Sequence, residues 1–70
     1  MSELKASMAG SVWKILVKQG DAVTEGQDVV ILESMKMEIP IAAESNGTVS
    51  SVKVSENDFV NEGDVLVTVE

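Results

Sequence analysis

A chain of 70 residues makes one domain and buries only about 60% of the surface its unfolded form exposes, so it must be well packed to be stable. It has no cysteine and no histidine, which excludes a disulfide framework, a zinc centre and Cys-His or Ser-His nucleophiles, and no metal site is expected. Twelve acidic residues against five lysines give a net charge of -7, a surface that repels nucleic acid and anionic lipid while leaving basic protein faces as possible partners.

The hydrophobic fraction of 44% is too high for a disordered chain. Met1 to Lys5 lacks the basic start and apolar run of a signal peptide, and the apolar run Val29 to Leu32 is far too short to span a membrane. A soluble, cytoplasmic protein is expected.

In chain order, short valine-rich stretches predict strands beginning near Leu4, Ser11, Asp21, Val29, Met37, Thr48, Asp58 and Val65. No stretch of about eleven residues or more carries a helical stripe. Gly10, Gly20, Gly26, Gly47, Asn57 and Gly63 are read as turn residues, because Gly and Asn tolerate positive φ. These elements predict an all-β domain of two small sheets facing each other across a valine-rich core.

The chain repeats itself at an offset of 37 residues, without gaps. Gly10 to Glu33 overlies Gly47 to Glu70, with identities at Gly10/Gly47, Val12/Val49, Val17/Val54, Asp21/Asp58, Val23/Val60, Glu25/Glu62, Gly26/Gly63, Val30/Val67 and Glu33/Glu70. The match reaches back to Leu4 and Ala6 over Ile41 and Ala43. Residues 1–70 therefore form a single domain of two halves, 4–33 and 41–70, joined by a hairpin connector at 34–40. Halves this small pack by pseudo-twofold symmetry, since neither buries its apolar face alone. The positions after Glu33 and after Glu70 are then equivalent. The chain ends at one and must turn back at the other, which puts Lys36 near an exposed hairpin tip.

A lysine in a surface turn is usually no more than solvated charge. Lys36 differs because Met35 and Met37 flank it where Asn, Gly or Asp would be expected. Exposed methionine suits a surface that other proteins dock on repeatedly. Alternatively, one methionine caps the end of the core and the other is incidental.

Glu33-Ser34-Met35-Lys36-Met37-Glu38 resembles the attachment motif Glu-Ala-Met-Lys-Met-Glu of the biotinyl/lipoyl attachment domain family. The resemblance covers almost the whole chain and is closest to free-standing biotin/lipoyl attachment proteins and biotin carboxyl carrier domains. It includes Gly10-Ser11-Val12 and Gly47-Thr48-Val49, and the turns at Val23-Thr24-Glu25-Gly26 and Val60-Asn61-Glu62-Gly63. It implies a flattened eight-stranded β-barrel, or barrel-sandwich hybrid. Gly10, Gly26, Gly47 and Gly63 would be its structural turns, and Lys36 the residue joined by an amide to biotin. Met35 and Met37 correspond to the flanks that partner enzymes recognise, and Glu33 and Glu38 to acids that orient the hairpin or contact the ligase.

The sequence departs from the family at several points. Ser34 replaces an alanine, and Ser7 and Glu44 stand where many relatives have proline, which leaves these edges less stiff. The protruding loop of some bacterial carrier domains is absent. So is the alanine- and proline-rich linker, which implies a solitary or an excised domain.

The implied function is that of a carrier and not of an enzyme. Lysine amines are protonated and unreactive at neutral pH, so a biotin protein ligase must activate biotin and join it to Lys36. The biotinyl arm then shuttles carboxybiotin between a biotin carboxylase and a carboxyltransferase, tethering supplying a high effective concentration. Lipoate on the same lysine is the near alternative, although lipoyl domains more often show Asp-Lys-Ala at the tip. An unmodified protein-interaction adaptor is the alternative of another class. Trp13 and Phe59 form no stacking platform, and each is expected at the core edge or partly in solvent. Lys5, Lys14, Lys18 and Lys53 lack methionine flanks and are read as solubilising.

Overall fold

The computed structural model describes residues 2–70. Eight strands run through it: β1 (Ser2–Lys5), β2 (Gly10–Ile15), β3 (Ala22–Val23), β4 (Asp28–Ser34), β5 (Met37–Ala42), β6 (Gly47–Val52), β7 (Phe59–Val60) and β8 (Val65–Val69). Each lies within two residues of the start expected for it. They form two four-stranded antiparallel sheets, ordered β1-β8-β6-β3 and β5-β4-β2-β7. The sheets face each other as a flattened eight-stranded barrel.

The sequence repeat maps β1–β4 onto β5–β8, and under that exchange the order of one sheet becomes the order of the other. Each sheet therefore takes two strands from each half, and neither half closes a sheet by itself. Backbone hydrogen bonds repeat in step. Ala6 N donates to Asp64 O at 2.9 Å as Ala43 N donates to Gln27 O at 2.8 Å, and Val12 N donates to Asp58 O at 2.8 Å as Val49 N donates to Asp21 O at 2.8 Å.

The core is duplicated as well. Leu4/Ile41, Ala6/Ala43, Val12/Val49, Val23/Val60, Val29/Leu66, Val30/Val67 and Leu32/Val69 are repeat pairs with both members buried. Period-two alternation directs alternate side chains of each strand inward, and the bulges reset that alternation at the same places in each half. One bulge sits at Trp13 in β2 and its counterpart at Ser50 in β6. Burying each valine or leucine contributes roughly 1.5–3 kcal/mol, which is how short strands hold together without a helix.

The turn assignment needs one correction. Gly20, Asn57, Gly26 and Gly63 do occupy turns at positive φ, between 78° and 94°. Gly10 and Gly47 instead open β2 and β6 and lack a positive φ. Their reason is close approach: a Cβ on Gly10 would fall 2.7 Å from the carbonyl oxygen of Glu33, and one on Gly47 2.5 Å from that of Glu70. The prolines missing at Ser7 and Glu44 are offset by neighbours. Ala6 and Ala43 are buried, and each exchanges two backbone hydrogen bonds with the turns at Gly63-Asp64 and Gly26-Gln27.

Candidate functional site

β4 and β5 pair from Asp28↔Ala42 down to Ser34↔Met37, so the loop between them is only Met35-Lys36. The connector inferred from the repeat is longer than this loop, because Met37 to Pro40 already belong to β5. A two-residue hairpin matches the right-handed twist of its strands when both loop residues have positive φ, a geometry that favours Asn-Gly. Here Met35 has φ 52° and Lys36 φ 64°. Each costs about 1 kcal/mol or more as a residue with a Cβ. The long, well-paired β4–β5 ladder outweighs that cost and fixes the tip.

The result is a lysine held outward on a short, rigid arc. Met35 is 90% exposed and Met37 61% exposed, so neither caps the core. Lys36 is exposed, but so are Lys5, Lys14, Lys18 and Lys53; only Lys36 occupies a positive-φ hairpin loop. Exposure alone would not have separated them.

Behind the tip, Glu33 and Glu38 lie directly opposite each other and are both exposed. Like charges placed this way destabilise a ladder. Gly10 permits β2 to pass against the Glu33 carbonyl and the Ser34 Cβ, which seats the base of the hairpin on its neighbour. The structure thus brings Glu33, Met35, Lys36, Met37, Glu38 and Gly10 to one end of the barrel. Gly47 lies instead against Glu70, at the place the repeat makes equivalent to the tip, while Gly26 and Gly63 shape turns at positive φ. A depression lined by Ile15, Leu16, Val17, Lys18 and Asp21 is also remote from the tip, since Asp21 O accepts from Val49 N at the start of the other sheet's β6. Among the described residues no cluster of acidic side chains is arranged to hold a metal.

Two exposed aromatic residues share the sheet of the hairpin: Trp13, 41% exposed in the β2 bulge with Lys14 Nζ 5.6 Å from its ring centroid, and Phe59, 67% exposed in β7. Sequence reasoning gave them no role. The repeat carried the missing signal, because their counterparts are Ser50 and Ala22.

Residues 2–69 match the family described as biotin-requiring enzymes, the biotin/lipoyl domains. A biotin/lipoyl attachment protein of Bacillus subtilis is 63% identical over 60 residues, which cover 86% of this chain and 82% of that protein. The biotin carboxyl carrier protein of Streptococcus mutans is 48% identical over 66 residues, 94% of this chain and 51% of that one. Among solved structures, the urea carboxylase of Kluyveromyces lactis superposes with a TM-score of 0.93 at 30% identity, covering 99% of this chain and 6% of that one. The chain thus spans about half of the streptococcal protein and a small segment of the carboxylase. With its motif at the tip of the hairpin and the family match running along nearly its whole length, the chain belongs to the biotin/lipoyl attachment family.

Proposed function

We propose that this domain is a covalent biotin carrier, biotinylated on Lys36 and moving carboxybiotin between a biotin carboxylase and a carboxyltransferase. The observation that carries the reading is Lys36 in a two-residue, positive-φ hairpin between exposed Met35 and Met37. The relatives support it: proteins named as biotin carboxyl carriers and biotinylated proteins match over nearly the whole chain. The domain supplies presentation and recognition, and catalytic groups belong to its partners.

Attachment falls to a biotin protein ligase working with ATP in the cytoplasm. The biotin carboxylate attacks the α-phosphorus of ATP and releases pyrophosphate to give the adenylate, the Lys36 amine attacks its carbonyl carbon, and AMP leaves. In passing from ammonium to amide the nitrogen gives up two protons, so the domain becomes one charge more negative. The rigid tip keeps the lysine backbone still while the new arm swings, and confinement of the arm to its partners' active sites raises the effective concentration.

Lipoate on the same lysine is the second reading, supported by the name of the Bacillus subtilis relative, which covers both groups. Mass spectrometry of protein made in biotin-supplied cells separates the two. A biotinyl increment on Lys36 supports the first, a lipoyl or octanoyl increment the second, and the unmodified chain in the presence of active ligase neither.

A further inference from the structure

The duplicated fold contains its own control for surface composition. On the sheet bearing Lys36, the outer row Phe59, Ser11, Glu33 and Glu38 crosses four strands in register, a span of roughly 14 Å at the usual interstrand spacing. Lys14, Ile31 and Pro40 form the next outward row, with Trp13 bulging beside it. The same backbone positions on the other sheet hold Ala22 for Phe59, Ser50 for Trp13, Thr68 for Ile31 and Glu3 for Pro40. There the Thr68 hydroxyl lies 2.6 Å from that of Ser50 and 2.7 Å from that of Ser51, a polar face satisfied within itself. The fold therefore accepts small and polar residues at all four places. The apolar residues are a property of the lysine-bearing sheet and not a requirement of the barrel.

We propose that this outer face is the surface on which the ligase seats the domain, with Trp13 and Phe59 entering an apolar depression rimmed by Lys and Arg that meet Glu33 and Glu38. This rests on the carrier reading above and names the recognition surface for it. The occupant follows from reach. An enzyme that uses the finished biotinyl arm stands off by the length of the arm, whereas the ligase must approach to the length of a bare lysine side chain. It therefore covers the surface contiguous with the tip, which begins at Glu33 and Glu38. Buried tryptophan is a frequent anchor of protein interfaces, and acidic residues beside it select a basic partner surface.

The test is steady-state biotinylation of the whole chain by a biotin protein ligase with biotin and ATP. The variant Trp13→Ser/Ile31→Thr/Phe59→Ala carries the residues that the other sheet already uses at these positions. The expected result is a rise of about tenfold or more in KM for the carrier with kcat little changed, while Ala22→Phe on the opposite sheet leaves both constants as they are. Phe59→Ala alone, at an exposed side chain, is expected to give a smaller rise in KM, and it decides the matter if the triple variant fails to fold. Unchanged KM in a folded triple variant or in Phe59→Ala overturns the docking face while leaving the carrier reading intact. Failure of the wild-type chain to accept biotin at all overturns the carrier reading and this surface with it. A wild-type dimer in sedimentation that dissociates in the triple variant, with KM unmoved, assigns the face to a second copy of the chain instead.

Discussion

Glu33 and Glu38 stand directly opposite each other across the β4–β5 ladder, both exposed, three residues before Lys36 and two after it. Two carboxylates in that register repel, and a ladder selected only for stability would pair one of them with a lysine. Glu38→Gln is therefore expected to stabilise the domain by roughly 0.2–1 kcal/mol. Urea denaturation checks this through a higher midpoint at unchanged slope, with the gain shrinking as salt screens the repulsion.

The tip is the second place where stability is conceded. Met35 and Lys36 hold positive φ without the residues that favour it. Met35→Asn with Lys36→Gly gives the loop its preferred type I′ chemistry and is expected to add roughly 1–2 kcal/mol. For a domain of this size that raises Tm by about 4–8 °C per kcal/mol, and biotinylation is lost with the lysine. Calorimetry and a mass spectrum on one sample read both effects.

Gly10 and Gly47 offer a comparison between the two ends. An added methyl would meet backbone carbonyl oxygen at either place, so both Ala variants are expected to lose about 1–3 kcal/mol. Gly10→Ala presses on Glu33 and Ser34 at the base of the hairpin, whereas Gly47→Ala presses on Glu70 and Val69. Modification at a temperature where both variants are folded is expected to slow for Gly10→Ala and to hold for Gly47→Ala.

Most of this architecture was legible in the chain. Val12, Val30 and their repeat partners marked strands, the offset between halves marked the pseudo-twofold, and the place lacking a repeat partner marked Lys36. Strand pairing was not legible: nothing local in Leu4 says that β1 lies beside β8, because register is set by which apolar faces can be buried together. The role of Gly10 was misread for a related reason, since the carbonyl that excludes a Cβ comes from Glu33, far along the chain. The aromatic face was missed because Trp13 and Phe59 lie far apart in sequence and meet one sheet only after folding.

The core prediction follows from the duplicated burial. Leu32 is fully buried in β4, and its truncation in Leu32→Ala is expected to cost about 2–5 kcal/mol. A domain of this length has roughly 3.5–10 kcal/mol in all, so a large unfolded fraction should be visible by circular dichroism at 37 °C.

The central claim concerns one nitrogen atom, and intact mass with peptide mapping tests it most directly. Protein from cells supplied with biotin and active ligase is expected to carry one biotinyl group on Lys36, none on Lys5, Lys14, Lys18 or Lys53, and none in Lys36→Arg. Biotin on any of the other lysines, or a bare Lys36 under those conditions, would contradict the account.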